Sequence, residues 1–299
     1  MTLLTFDAPP DSGSAYWRAL RAAGKARTTD RLPDLAAVRR QVRVEQSAVA
    51  AFRQHFGLPP DGTVPPGFAH AMLGAPLQLQ LLTHPSFPLR VLGTVHVRSR
   101  IVQHRALQVD ERVTVHVRLE GLRPVAQGLE YDLLTEVAGA DGAAIWFGWS
   151  TQLLRDPALP PRPRTAVPEP PSPAWERCWT LPLSSSAGRA YARLSGDWNP
   201  IHLSAWSARL FGFRRAILHG MATFGQVLAC LDWQMPVDPV ELTVRFRKPV
   251  FLPGRVQLQA RRTSDQQGWL WQVQDLTGNI VHAEGQISRA DGCSAARRS

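Results

Sequence analysis

Apolar and polar positions alternate along the second half of the chain, as in strands with one buried face. Val244 and Phe246 fall on one face of a predicted strand, and Arg245 and Arg247 fall on the other. The same kind of pattern predicts three more strands, over residues 256–262, 268–275 and 279–288. A Thr-Gly turn joins the last two strands, so we expect an antiparallel arrangement.

A helix is predicted ahead of these four strands. Residues 219–233 are apolar on nearly every side, which indicates a buried helix rather than an amphipathic one. Upstream, residues 178–183 predict a short strand, and residues 184–196 predict a helix that begins after serines. The order is therefore strand, helix, loop, buried helix and four strands.

The first half of the chain repeats this order. Its predicted strands and helices cover residues 40–44, 45–57, 65–82, 93–102, 111–119, 127–137 and 143–154. The segment at 52–57 aligns with 191–196, and Gly67 aligns with Gly220. The offset rises from 139 to 153 residues between these anchors, so the second copy holds about 14 additional residues there. One copy with an extra polar loop suggests one working site and one structural copy.

A buried helix followed by four antiparallel strands, present twice, predicts an α+β fold in which each helix is wrapped by a curved sheet. Side by side, the two units form one continuous sheet and hide two edge strands. Eight prolines in seventeen positions exclude helix and central strand between the units. We therefore predict an N-terminal arm, a first unit, a Pro-rich linker, a second unit and a flexible tail, at residues 1–38, 39–156, 157–173, 174–290 and 291–299.

Composition excludes several classes of protein. The 299 residues are 44% hydrophobic and 19% charged, so we expect a packed core rather than disorder. Three scattered cysteines cannot form a disulfide framework or a zinc site. The sequence has neither a long apolar run nor the features of a signal peptide. We expect a cytoplasmic protein that does not bind membranes.

The net charge of +10 suits an anionic ligand or an acidic carrier protein. The basic residues are spread along the whole chain, without a dense run interleaved with aromatic residues. This distribution argues against nucleic acid as a partner, although the high isoelectric point alone would allow it.

A short polar segment in the second half has the residues for acid–base chemistry. Asp197 and His202 lie five positions apart across the pair Asn199-Pro200. Asn-Pro favours a turn, and the proline keeps Asn199 extended, so one tight loop can bring the carboxylate and the imidazole together. Such a pair works near neutral pH, and Asn199 would fix the loop.

His219 and Gly220 open the buried helix, and Gly220 lies eighteen residues past His202. A glycine there lets a ligand approach the backbone, and its N–H is one of the free donors at a helix start, where the helix dipole favours negative charge. Such a donor suits an enolate oxygen. The other histidines lack metal-ligand spacing, so we predict no metal site.

The string YARLSGDWNPIHLS, with Ala205 and a later His-Gly-Met, resembles the hydratase-2 motif of the MaoC-like family. That family comprises (R)-specific enoyl-CoA hydratases and 3-hydroxyacyl-thioester dehydratases. Its fold is the hotdog, and chains of about this length are double hotdogs whose first half commonly lacks the motif. The resemblance implies that Asp197 and His202 position a water molecule and that the Gly220 N–H forms the oxyanion hole.

The resemblance implies reversible hydration of trans-2-enoyl thioesters to (R)-3-hydroxyacyl thioesters. Coenzyme A or an acyl carrier protein would carry the acyl group, no separate cofactor is expected, and a homodimer is allowed. Ser195, Gly196, Asn199 and Pro200 would support the catalytic loop. The predicted substrate-binding residues are His219, Met221, Arg245, Arg247 and Lys248. A hotdog thioesterase and a non-catalytic acyl-thioester binding protein remain as alternatives.

Overall fold

A computed structural model describes residues 2–24, 28–156, 174–231 and 239–290. The predicted linker and tail, at residues 157–173 and 291–299, lie outside the described residues. In the part that is described, no helix combines the length and the apolar character needed to cross a membrane.

Eleven strands form one sheet. They are β1 (Thr2–Phe6), β2 (Leu35–Arg43), β3 (Thr94–Gln103), β4 (Arg112–Val125), β5 (Gly128–Ala138), β6 (Ala144–Arg155), β7 (Arg177–Leu183), β8 (Val240–Phe246), β9 (Gly254–Arg262), β10 (Trp269–Gln274) and β11 (Val281–Arg289). Their order across the sheet is β1-β2-β4-β5-β6-β3-β8-β11-β10-β9-β7.

Seven α-helices accompany the sheet in the described residues. They are α1 (Ser12–Arg21), α2 (Gln46–Phe56), α3 (Pro66–Phe68), α4 (Ala75–Thr83), α5 (Ala187–Ser195), α6 (Ala205–Arg209) and α7 (Gly220–Leu231). A π-helical stretch, Ala69–Gly74, connects α3 to α4, so the predicted helix at 65–82 is present with a wider turn inside it.

The two halves have the same strand order, read outward from the centre of the sheet. Each runs through one central strand, three antiparallel strands and one outer strand, and β1 adds an eleventh strand beyond β2 in the first half. The central strands β3 and β8 pair with each other. An ion pair between Arg100 and Glu241, at 2.6 Å, crosses this joint. The predicted α+β double hotdog, with its single continuous sheet, is therefore confirmed.

One hydrophobic core runs through both halves. Phe52 and Phe56 of α2 pack against each other, and Phe56 also contacts the ring of Tyr191 in α5. In the second half, Phe224 of α7 stacks on Trp271 of the sheet. The all-round apolar character of α7 follows from this position, because it contacts its own sheet and the helices of the other half.

The N-terminal arm contains a strand as well as a helix. Its strand β1 pairs in parallel with β2 and covers the outer edge of the first half. Strand β2 begins at Leu35, four residues before the predicted start of the first unit at residue 39. Helix α1 packs on α4, where the side chain of Arg18 donates to Gln80 at 2.5 Å.

Candidate active site

The loop that follows α5 begins with a sharp reversal. Gly196 ends the helix in the left-handed conformation, with φ of 75°, which glycine adopts without strain. The hydroxyl of Ser195 donates to the carbonyl of Tyr191 at 2.9 Å and accepts from the N–H of Asp197 at 3.3 Å. Ser195 and Gly196 thus fix the point at which Asp197 leaves the helix.

Asn199 and Pro200 shape the next turn. Asn199 has φ −56° and ψ 125°, the extended conformation that a following proline imposes. Its side-chain oxygen accepts from the N–H of Ile201 at 3.4 Å and caps the short 3₁₀ helix Pro200–His202. This turn brings His202 back towards Asp197.

His202 is held in one protonation form. Its Nδ1 lies 2.8 Å from the carbonyl oxygen of Ile217. Because a carbonyl only accepts, Nδ1 carries the proton, and Nε2 keeps its lone pair for chemistry. Burial, together with the neighbouring His219, lowers the pKa of His202 to about 3, so the ring is neutral at pH 7.

Gly188 of α5 lets the backbone of His202 come close. A Cβ atom at position 188 would lie 2.1 Å from the carbonyl oxygen of His202, a distance that no side chain permits. The side chain of Arg189 donates to the carbonyl of Leu203 at 2.7 Å and holds the next residue. Helix α5 therefore sets the position of the catalytic loop through backbone contact.

His219 links the two members of the predicted dyad. Its ring stacks on His202 with centroids 3.6 Å apart, and its Nε2 donates to the carbonyl of Asp197 at 3.0 Å. Its side chain is almost fully buried, and burial lowers its pKa. We predicted a substrate contact for His219; the structure places it between the groups that would bind substrate.

The carboxylate of Asp197 uses its two oxygens differently. Oδ1 accepts a hydrogen bond from the hydroxyl of Tyr16 and another from the N–H of Asn199 at 3.2 Å. Oδ2 lies 3.8 Å from Nε2 of His219. Burial alone would raise the pKa of Asp197, but the imidazoles of His219 and His202 and the bond from Tyr16 outweigh burial and lower it. The carboxylate is therefore ionised at neutral pH.

Asp197, His202 and His219 each offer a ligand atom within 4.8 Å of the others, a spacing that a metal ion could also use. However, Nδ1 of His202 and Nε2 of His219 both face carbonyl oxygens as donors. The predicted absence of a metal stays a prediction, and the same spacing lets the groups share one water molecule.

Gly220 is the first residue of α7, so its N–H has no carbonyl one turn back in the helix. A Cβ atom there would lie 3.0 Å from the ring of Phe246, which explains why the position needs a glycine. Met221 follows in the first turn and is buried. The helix start thus presents a backbone donor beside Phe246.

The three basic residues predicted to bind substrate are not brought together with the dyad. Arg245 lies on the outer face of β8, opposite Phe246. Arg247 follows the strand and pairs with Glu284, while the side chain of Lys248 is exposed. A phosphate contact by these residues stays a prediction.

The sequence interpretation missed several residues of the site. Tyr16 comes from the arm, and no sequence signal connects it to Asp197. His70 and His96 come from the first half, and their rings stack with centroids 5.9 Å apart. Burial lowers the pKa of both, and the charge of Asp197 opposes this shift. The ring centroid of His96 lies 5.2 Å from that of Phe246, which borders Gly220, so the first half borders the site.

Known proteins resemble this chain in sequence and in fold. The model of the MaoC like domain family matches residues 171–284. The 3-hydroxyacyl-thioester dehydratase X of Mycobacterium tuberculosis is 32% identical over 266 residues, which cover 87% of this chain and 91% of that protein. A crystal structure of HtdX from the same organism superposes with a TM-score of 0.73 at 30% identity, covering 86% of this chain and 100% of the other. The peroxisomal enoyl-CoA hydratase 2 of Arabidopsis thaliana is 41% identical over 66 residues, 21% of each chain.

Proposed function

The chain belongs to the MaoC-like dehydratase family, and from this premise we propose how its site handles substrate. The enzyme is a hydro-lyase that hydrates or dehydrates acyl thioesters. The form of the reaction that we propose is addition of water to a trans-2-enoyl thioester, giving the (R)-3-hydroxyacyl thioester, and its reversal.

One observation carries the proposal. The carboxylate of Asp197, which is ionised, and the imidazole of His202, which is neutral, lie on one loop with a carboxylate oxygen and a ring nitrogen within 4.8 Å of each other. Between them they hold a water molecule and take one of its protons as the water oxygen bonds to Cβ of the substrate. The dyad returns a proton to Cα, so no net proton is gained or lost.

Negative charge builds on the thioester oxygen during this step. We assign its stabilisation to the N–H of Gly220 and the positive end of the α7 dipole. One such donor is worth about 10²–10³ in rate. The acid–base pair contributes about 10²–10⁴ more.

The substrate carrier is coenzyme A or the phosphopantetheine of an acyl carrier protein. We propose that Arg245, Arg247 and Lys248 contact its phosphate at a distance from the dyad, because β8 carries Phe246 to Gly220 and its end leads from the helix start to these residues. Acid–base groups and a backbone donor supply the proposed chemistry, so we propose no separate cofactor.

A two-channel assay tests the proposal. Enoyl-CoA substrates of several chain lengths are followed by loss of enoyl absorbance and, in parallel, by release of free thiol. We expect hydration without thiol release, with a chiral column showing the (R) product. Thiol release in place of hydration would identify a thioesterase, and neither signal with any chain length or carrier would identify a binding protein.

A further inference from the structure

Helix α1 of the N-terminal arm lies against the catalytic loop. The hydroxyl of Tyr16 donates to Oδ1 of Asp197, a contact between residues 181 positions apart in the sequence. One turn earlier, the hydroxyl of Ser12 approaches Gly196, where a Cβ atom would lie 3.2 Å from it. The arm therefore contacts the loop at its first residue as well as at the carboxylate.

The arm is held in this place by the first half. Gln80 of α4 accepts from the guanidinium of Arg18 at 2.5 Å and donates to the carbonyl of Asp11 at 3.2 Å. Arg18 also donates to the hydroxyl of Thr83 at 3.3 Å. These bonds fix both ends of the first turns of α1, which fixes Tyr16 between them.

The hydrogen bonds divide the carboxylate into two unlike oxygens. Oδ1 has two donors, the hydroxyl of Tyr16 and the N–H of Asn199, whereas Oδ2 accepts no hydrogen bond from the described residues. A carboxylate that rotates freely would exchange these roles. With Oδ1 occupied, Oδ2 is the oxygen left for the proton of the reacting water.

We infer that Tyr16 is a positioning residue for the reaction: it binds Oδ1 of Asp197 and so presents Oδ2 to water and substrate. The inference rests on the proposed role of Asp197. It makes the arm part of the active site, which is then assembled from four segments: the arm, the first half, the catalytic loop and the start of α7.

Tyr16 keeps its proton throughout the working pH range. Burial raises its pKa, and the charge of Asp197 raises it further, so the hydroxyl remains a donor. The other titratable groups that act on Asp197 come from α5, the catalytic loop, the start of α7, the π-helical stretch and β3. They are Tyr191, His202, His219, His70 and His96.

The variant Tyr16→Phe tests the inference in the hydration direction. Removing a donor to a charged oxygen should lower kcat by about 10- to 100-fold. The pKa of Asp197 should rise, because the ionised form loses a hydrogen bond, so the acid limb of the pH–rate profile should move to higher pH. KM should change little, since Tyr16 acts through Asp197.

The chain offers a matched control. It has three tyrosines, and Tyr131→Phe removes a buried hydroxyl in the first half that does not contact Asp197. This control should retain the wild-type kcat and pH profile. Circular dichroism and Tm verify that each variant is folded. If Tyr16→Phe does not fold, Gln80→Leu decides instead, because it removes the bonds that Gln80 makes to Arg18 and Asp11 and should move the acid limb in the same direction.

Asp197→Asn, assayed in parallel, separates this inference from the proposed function. If Asp197→Asn is inactive while folded Tyr16→Phe keeps the wild-type kcat and pH profile, Tyr16 has no positioning role and the proposed function stands. A higher KM for Tyr16→Phe with an unmoved acid limb also overturns the inference. If Asp197→Asn retains activity, the proposed site itself is wrong.

Discussion

After α2 the first half reaches its buried helix through residues 58–65, whereas after α5 the second half uses residues 197–219. In the short loop the buried guanidinium of Arg53 donates to the carbonyl of Pro59 and the hydroxyl of Thr63, and pairs with Asp61 at 3.0 Å. Oδ1 of Asp61 also accepts from Thr63 at 2.8 Å. These polar groups therefore hold the short loop in its conformation.

The long loop is built on a different principle. Backbone groups, Asn199 and one oxygen of Asp197 hold the long loop in its conformation. Oδ2 of Asp197 and Nε2 of His202 accept no hydrogen bond from the described part of the chain. The difference teaches that an aspartate in a polar loop indicates chemistry when an acid–base partner such as His202 lies beside it, and not when a guanidinium such as that of Arg53 ties it to the loop.

Substitution of Asp197, His202 and Asp61 should show the largest difference in kcat between the halves. Asp197→Asn and His202→Ala should each lower kcat by about 10²–10⁴, the value of lost acid–base catalysis. Asp61→Asn should leave kcat unchanged and lower Tm slightly, because its pair with Arg53 is structural. Steady-state kinetics with thermal melts check this. A folded Asp197→Asn enzyme retaining a tenth of the wild-type rate would break the comparison.

The next largest difference is expected at two aligned positions, Gly188 in α5 and Val49 in α2. Gly188→Ala places a methyl 2.1 Å from the carbonyl oxygen of His202, so the loop must shift. Because a shift of about 1 Å costs about 100-fold, we expect kcat to fall by at least 10-fold. Val49→Ala removes buried methyl groups from the equivalent helix, and should lower Tm while kcat stays unchanged. Equal kcat values for the two variants would contradict the assignment.

The two buried helices offer a smaller contrast. Gly220→Ala brings a methyl to 3.0 Å from the ring of Phe246, so the helix start must move by a few tenths of an ångström. Displacing one oxyanion donor this far should cost roughly tenfold in kcat, less than its complete loss. At Gly67 an added methyl would meet Leu228 at 3.4 Å, an ordinary contact, so Gly67→Ala should be neutral in kcat. Parallel kinetics of both variants decide this.

The smallest difference between the halves is expected in the pH dependence of their stability. Burial lowers the pKa of His202 and of His70 from 6.5 to about 3. Between these values the unfolded chain binds more protons, so their contribution is complete above pH 6.5 and is lost as pH falls. Within that window, each histidine should lower the free energy of unfolding by about 1.4 kcal/mol for every unit by which the pH falls. Melts from pH 7.5 to 5 should show a shallower slope for His70→Leu, and an unchanged slope would contradict its buried neutral state.

Much of the fold could be predicted from the sequence because its signals are local. Alternation of apolar residues placed β8 to β11, and the all-round apolar stretch placed α7. The spacing from Asp197 to His202 predicted that both lie on one loop, because Asn199 and Pro200 set the backbone conformation of the residues next to them. The match of the two halves further predicted that their sheets join into one continuous sheet.

Contacts between distant parts of the chain were decided only by the tertiary structure. Tyr16 meets Asp197 because α1 docks on α4 through Gln80, and neither residue's surroundings in sequence show this. The protonated nitrogen of His202 depends on the carbonyl of Ile217, fifteen residues away. A local pattern reports which face of a segment is buried, but the partner of a hydroxyl, a carboxylate or a ring nitrogen depends on which segments the packed core brings within 3 Å, and that is a property of the whole chain.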